Sequence, residues 1–294
     1  MIKRAAAIVA FLGLVCTLIP LVGEPAPTQA APAMFGRVHE TFQPQGGKIF
    51  VAVIGNDARS GNPDRALADA IHIVGINTKT MKAGVLNFPR DSWVNIPGQG
   101  SAKMNEALVR GGPQLVARTL ESVTGIRIDY WVMTGFVGFE NLIRQLNGVK
   151  MRIPTNVSDI GGSGAQLRAG VQRLKGYEAL AYARTRKAFS GGDVARTTHQ
   201  GHILVALVRK LRKETQRSPA ALLRWIDVTR KNTRFDISAN EMFRLGILAS
   251  QVKAKDVGNV TVPVSLGSMG AASVVFISPG AHSIYARFRK NGSL

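Results

Sequence analysis

Cysteine is almost absent from this 294-residue chain; its single copy, Cys16, lies inside an N-terminal apolar run. The remainder therefore holds no disulfide, no Cys-based zinc site and no Cys nucleophile. Acidic residues are scarce too. Eighteen Asp plus Glu stand against 38 Lys plus Arg, a formal net charge of +20. Such a balance calls for an anionic partner: nucleic acid, anionic lipid or an anionic polymer. Long hydrophobic runs are missing beyond the N-terminus, so nothing after it is long enough to span a bilayer. No internal repeat and no break in composition follows residue 47, which argues for one domain.

The N-terminus narrows the choice of partner. Met1-Ile2-Lys3-Arg4 is a short basic segment, and residues 5–22 are uncharged and apolar, broken only late by Pro20. That pattern is a signal peptide or a single membrane anchor with its N-terminus inside, assigned here to residues 1–30. Thr28-Gln29-Ala30 is a fair cleavage site, and Leu14-Val15-Cys16 lacks the small residue a lipoprotein site needs before its Cys. Either way the rest is expected outside the cytoplasm. That places it at a membrane surface and argues against nucleic acid. Residues 31–46, part of a stretch rich in Pro, Ala and Gly, read as a linker, and residues 47–294 as the extracytoplasmic domain.

Within that domain apolar strands alternate with amphipathic helices. Residues 49–54, 71–76 and 84–88 are short apolar runs suited to strands covered on both faces. The turn at 79–82 makes the second and third a hairpin. Helices are expected over 114–123, 136–146, 177–182, 193–213, 220–229 and 240–252, and strands over 130–133, 149–153, 257–264 and 274–277. The long helix should bury Ile203, Leu204, Leu207, Val208 and Leu211. This order predicts an α/β fold, a three-layer α/β/α sandwich around a central mixed sheet.

The chemistry-bearing residues sit where these elements end. Asp57 and Arg59 follow the first strand and Gly55; Asp69 precedes the second strand; Arg90 and Asp91 follow the third after Pro89. If the three strands are neighbours, their loops meet at one sheet edge, where α/β proteins carry function. Arg184 and Arg186 follow a helix, and two residues apart in an extended segment they would point to one side. Asp193 opens the long helix, with Arg196 and His199 each three residues further on. Taken singly, each has a plainer explanation: an Asp turn, an ion pair, an N-cap at Asp193, a solvated basic face for Arg196 and His199. Taken together, several arginines can hold a pyrophosphate, and the aspartates beside them make sense if a hard cation such as Mg²⁺ lies between.

In this order behind an N-terminal apolar segment, Gly55-Asn56-Asp57-Ala58-Arg59, Ala68-Asp69-Ala70-Ile71, Asn87-Phe88-Pro89-Arg90-Asp91, Lys103-Met104-Asn105, the stretch from Tyr177 to Arg186 and Gly192-Asp193-Val194-Ala195-Arg196 resemble the LytR-CpsA-Psr proteins, wall-polymer ligases of Gram-positive bacteria. The likeness runs from about residue 49 to 264. It implies a sheet between helices with a long apolar pocket for a polyprenyl chain. It also implies a reaction: a glycopolymer moves from a polyprenyl-pyrophosphate carrier to a peptidoglycan hydroxyl, a phosphodiester forms and polyprenyl phosphate leaves. On the matching positions it assigns Arg59, Arg90, Lys103, Asn105, Arg184, Arg186, Arg196 and Gln200 to substrate binding, Asp57 and Asp69 to Mg²⁺, and Arg90, Asp91 and Asp193 to catalysis, with Asp91 or Asp193 either orienting an arginine or acting as base for the acceptor hydroxyl. Two positions depart from the family pattern: Leu67 stands where an Arg is common, with Arg65 displaced, and His199 stands where a second Arg often follows. An exported polyprenyl-pyrophosphate hydrolase using the same site, and a non-enzymatic binder of anionic wall polymers, are the alternative readings; the binder leaves the aspartates unexplained.

Overall fold

The apolar run at 49–54 becomes a central strand, and the layers follow from what its two faces must cover. The computed structural model describes residues 33–38, 46–57, 66–186, 188–189, 191–231, 233–235 and 238–294; the N-terminal apolar run and Arg59 lie outside the described residues. In chain order the elements are β1 Ala33–Arg37, β2 Lys48–Asn56, β3 Ala68–Asn77, β4 Lys82–Phe88, β5 Trp93–Ile96, β6 Gly100–Lys103, α1 Glu106–Thr124, β7 Tyr130–Thr134, α2 Phe136–Gln145, β8 Val149–Ile153, β9 Val157–Asp159, β10 Ala165–Leu167, β11 Gly170–Leu174, α3 Gly176–Arg184, α4 Gly192–Arg217, α5 Ala220–Lys231, β12 Thr233–Phe235, α6 Ala239–Gln251, β13 Val257–Thr261, β14 Val264–Met269, β15 Ala272–Ile277 and α7 Ala281–Asn291.

Seven strands form one mixed sheet in the order β12-β1-β7-β2-β3-β4-β13. The β2–β3 and β3–β4 pairs are antiparallel, while β2 with β7 and β4 with β13 are parallel. Alternate residues of β2 go to opposite faces. Phe50, Ala52 and Ile54 are fully buried in a core shared with Val116 and Leu120 of α1 and Tyr285 and Phe288 of α7. Ile49 and Val51 instead pack with Met242, Leu245 and Leu248 of α6. Helices therefore cover both faces, and the three-layer α/β/α arrangement with a central mixed sheet is as expected. Among the described residues no helix is long and apolar enough to cross a membrane.

The sheet begins earlier than expected. β1 lies inside the stretch read as a linker and pairs with β7 and β12. Five residues amid Pro and Ala give no periodicity, so only the pairing reveals the strand. α1 begins at Glu106, not 114, because Gly111 and Gly112 break its helical geometry just before Pro113. The single strand expected over 257–264 divides into β13 and β14 around Pro263. α7 was not anticipated. Its Phe288 sits over the cross-strand pair Gly75 and Gly84, where an added Cβ would lie 2.6 Å and 3.0 Å from the ring, and Phe50 meets it edge-on at 5.3 Å. Only glycines let the helix approach this closely.

A second close approach holds α4 to the other face. A methyl on Gly201 would overlap Asn259 Oδ1 and lie 2.5 Å from Asn87 Oδ1. Gly→Ala inside a helix ordinarily stabilises by about 1 kcal/mol. Here we expect Gly201→Ala to destabilise, by about 1–3 kcal/mol, because α4 must lift off the sheet. Denaturant midpoints of the two proteins check the sign; a stabilised variant would show that α4 is not seated this closely.

Candidate functional site

Strands β2, β3 and β4 are neighbours, so their ends do meet. At the β2–β3 end Gly55 pairs with Ala70 and Asn56 with Ala68, leaving Asp69 as the extra residue of a bulge. A bulge re-aims its side chain, and Asp69 turns toward Arg90 in the loop after β4. The Arg90 guanidinium donates to Asp69 Oδ1, and its Nε lies 3.8 Å from Asp91 and 3.7 Å from Asp193. That loop is pinned: Ser92 Oγ donates to the Pro89 carbonyl at 2.7 Å, and Asn105 N to the Arg90 carbonyl at 3.0 Å. Lys103 completes it, 3.2 Å from Asp91.

The first turn of α4 supplies the other side. Gly191 is the N-cap residue, and the Asp193 side chain caps nothing, which sets aside the capping explanation. Asp193 instead gathers cations, with Arg196 at 2.9 Å and Arg186 at 3.4 Å. Arg196 is 1% exposed and donates to the Asp69 carbonyl at 3.2 Å, so it is no solvated face; nor is His199, which is buried against Phe189 and Tyr182. Burial pushes the Arg196 guanidinium down to about 10, against the opposing pull of Asp193, and it stays cationic at neutral pH. Burial also works against the charge on Arg90, but Asp69, Asp193 and Asp91 more than offset it and raise its pKa.

Arg184 and Arg186 reach one pocket, though not as two residues of one extended strand. Arg184 is the last residue of α3, and the extended Thr185 that follows turns the chain toward Arg186. Both arginines, with Asp69, Asp159, Ser163 and Arg196, line a polar pocket of about 230 Å³. Arg184 lies over the Phe136 ring, 4.7 Å from its centroid, and no carboxylate pairs with it among the described residues. Against the polar pocket runs an apolar cavity of about 260 Å³ between β2, α2 and α4, walled by Val53, Phe139, Leu142, Ile203, Leu204 and Leu207 among others. Asp69, Arg184 and Arg196 line both. A greasy tube thus ends in a cluster of arginines. Buried donors are left over there: among the described residues Arg90 Nε and Arg196 Nε have no hydrogen-bond acceptor.

A LytR_cpsA_psr family model matches residues 28–290. The chain belongs to the LytR-CpsA-Psr family. It is 34% identical over 222 residues to a polyisoprenyl-teichoic acid–peptidoglycan teichoic acid transferase, TagT, of Bacillus subtilis (strain 168), covering 72% of this chain and 67% of that protein. A solved structure of TagT bound to LI-WTA superposes with a TM-score of 0.70 at 27% identity, over 92% of this chain and 99% of that one. Another, with bound octaprenyl pyrophosphate lipid, gives 0.66 at 25% identity over the same shares.

As a LytR-CpsA-Psr chain it brings Asp69, Arg90, Asp91, Lys103, Asp193, Arg186 and Arg196 into one ion-paired cluster, with Arg184 beside it. Asp57 is exposed at the end of β2 and lines neither pocket. Asn105 and Gln200 are buried; Gln200 Nε2 donates to the Ala183 carbonyl at 3.0 Å, holding α3 to α4, while Asn105 Oδ1 and Gln200 Oε1 have no donor among the described residues. Leu67 is partly exposed, and Arg65 lies outside the described residues.

Three side chains at the pockets escaped the sequence reading. Asp159 and Ser163 come from the turn Asp159-Ile160-Gly161-Gly162-Ser163-Gly164, whose Gly/Ser content was the available signal. His72 was hidden in an apolar strand. Asn87 Nδ2 donates to Asn259 Oδ1 at 2.9 Å, so its Oδ1 accepts from His72 Nδ1 at 2.8 Å, fixing the neutral ring. Burial takes His72 down to about 4. The unfolded His therefore binds its proton first as pH falls. Stability from this residue is complete above about pH 6.5 and is lost toward pH 4, by about 3 kcal/mol. Urea midpoints at pH 7 and 4.5 should fall further for wild type than for His72→Gln; equal falls would contradict this.

Proposed function

We propose that this protein moves a glycopolymer from a polyprenyl-pyrophosphate carrier to a hydroxyl of peptidoglycan. One observation carries the reading: the apolar cavity and the polar pocket share Asp69, Arg184 and Arg196, so a prenyl chain seated in the first brings its pyrophosphate among the arginines. Phosphoryl transfer needs positioning and charge neutralisation more than covalent chemistry. Arg90, Arg184 and Arg196 bind phosphate oxygens, and Lys103 and Arg186 hold the rim. The acceptor oxygen attacks the polymer-side phosphorus and forms the new phosphodiester. The bond from that phosphorus to the bridging oxygen breaks, and polyprenyl phosphate leaves with the electron pair. The hydroxyl proton passes to a carboxylate of the rim, Asp91 or Asp193, which otherwise orient the cations.

Mg²⁺ belongs to this proposal. No group of three or more His, Cys, Asp or Glu side chains converges as a metal site among the described residues, and Mg²⁺ is commonly held by one or two carboxylates plus substrate phosphates. Asp57 and Asp69 flank the end of the β2–β3 pair and offer the oxygen donors that a hard cation prefers. They would hold the ion, and the ion would neutralise phosphate charge. The N-terminal run 5–22 would tether the site outside the cytoplasm; an alkaline phosphatase fused after residue 294 should then be active, and an inactive fusion would contradict that placement.

The test is product analysis. Full-length protein, a polyprenyl-pyrophosphate-linked polymer, peptidoglycan and Mg²⁺ should yield polyprenyl phosphate and polymer joined to peptidoglycan by a phosphodiester. EDTA should stop the reaction, and Mg²⁺ should restore it. Free polymer phosphate in equal yield with or without acceptor would make the protein a hydrolase instead, and full turnover in EDTA would remove the metal.

A further inference from the structure

A third cavity, about 350 Å³, opens between the distal half of α4 and the antiparallel β8–β11 pair. Arg209, Lys213 and Arg217 lie four residues apart and form one exposed stripe on the helix. Across from them Lys150, Arg152 and Arg173 are exposed on that strand pair, Arg173 in register with Lys150. The groove has one carboxylate, Glu214, already engaged by Lys210 at 2.7 Å and Arg224 at 2.6 Å. Among the described residues no acidic partner meets Arg209, Lys213 or Arg217. Like charges at this spacing oppose helix formation, so the fold gains nothing from them.

Position along the helix assigns the groove. Arg196 belongs to the arginine cluster, Ile203, Leu204 and Leu207 wall the apolar cavity, and Arg209 opens the groove. From Arg196 to Arg209 is 209 − 196 = 13 residues, about 20 Å of helix. Head-group site, cavity wall and basic groove therefore follow one another along α4. We propose that this groove docks on anionic lipid headgroups and so turns the tail end of the apolar cavity toward the bilayer. The choice of lipid over wall polymer rests on the function proposed above: in the carrier the polymer leaves the pyrophosphate on the side away from the prenyl chain. The prenyl chain reaches the apolar cavity from the bilayer that carries it, so the tail end of the cavity must face that bilayer. Val171, exposed in the groove, adds an apolar contact of the kind that lies at the headgroup boundary.

The experiment reads docking without turnover. Full-length protein carrying Cys16→Ser and Ser218→Cys bears an environment-sensitive dye at residue 218, exposed just after Arg217, and is reconstituted in vesicles. Its emission should shift as the phosphatidylglycerol fraction rises, and revert with salt. Arg209→Gln/Lys213→Gln/Arg217→Gln should weaken docking about 100-fold, roughly fivefold per charge. Lys150→Gln/Arg152→Gln/Arg173→Gln acts from the opposite wall and gives the same reading should the first variant fail to fold. Emission indifferent to anionic lipid, or equal in wild type and variants, would overturn the proposal. So would a shift produced by soluble phosphate-bearing polymer and not by vesicles. Docking that persists in a protein without transferase activity would contradict the proposed function and leave the docking surface standing.

Discussion

Arg184→Ala should lower polymer transfer by about 10³-fold while the protein melts within a few degrees of wild type. Arg184 stands apart from the other arginines because no carboxylate pairs with it among the described residues. Its partner is the Phe136 ring at 4.7 Å, a contact worth about 0.5–1 kcal/mol at such a site, so its loss costs the fold little. Its place between the apolar cavity and the polar pocket makes it the arginine most available to a pyrophosphate, and one such contact in phosphoryl transfer is worth about 10³ or more. Arg184→Lys should recover little, since an ammonium lacks the planar fork that meets two phosphate oxygens. Steady-state rates and melting curves for both variants check this. Alanine at wild-type rate would remove Arg184 from the site, and a large fall in melting temperature would make it structural.

Arg196→Ala should fail on both counts. The side chain is 1% exposed, with Asp193 at 2.9 Å and the Asp69 carbonyl at 3.2 Å. Asp193 keeps Arg186 at 3.4 Å and Arg90 at 3.7 Å, so the cost is that of removing its nearest and most buried cation together with the packing of that side chain, about 3 kcal/mol. For a chain of this length that is a melting-temperature drop on the order of 10 °C. Transfer should fall by at least the Arg184→Ala factor, because Arg196 positions Asp69 and Asp193, which in turn place Arg90 and Arg186. The double variant Arg196→Ala/Asp193→Asn removes the carboxylate that Arg196 faced as well. It should regain part of the stability and none of the activity. Recovery of activity would mean that Arg196 serves only to neutralise Asp193.

The contrast between these two arginines was not legible in the sequence. Residues 184 and 196 read alike, as basic side chains near element ends. Their difference comes from tertiary placement: α4 lies close enough to the sheet at Gly201 to bury Arg196, whereas α3 ends at the pocket mouth and leaves Arg184 half-buried. What the sequence did carry was whatever rests on local pattern. The turn at 79–82 made β3 and β4 a hairpin, and with β2 beside them only as a condition, the meeting of Asp69, Arg90 and Asp91 was a conditional expectation. The order of motifs carried the family. The bulge that turns Asp69 inward depends on cross-strand register and has no local signature. β1 was lost because a five-residue strand beside Pro and Ala has too few residues for a period to show. α7 carries the helical spacing of Ile284, Tyr285 and Phe288, yet its docking rests on the bare glycine pair at 75 and 84, far away in sequence. His72 sits in a strand pattern that is otherwise all apolar, and its role as a neutral partner of Asn87 appears only with the register.

The central claim is that one molecule of carrier spans the two adjoining cavities, its chain in the apolar one and its pyrophosphate among the arginines. A structure of the full-length protein with polyprenyl pyrophosphate tests it most directly. The account predicts phosphate oxygens within hydrogen-bonding distance of Arg90, Arg184 and Arg196, with the first isoprene units between β2, α2 and α4 against Leu142, Ile203 and Leu207. A pyrophosphate held instead at Arg209, Lys213 and Arg217, or a prenyl chain lying outside the apolar cavity, would contradict it.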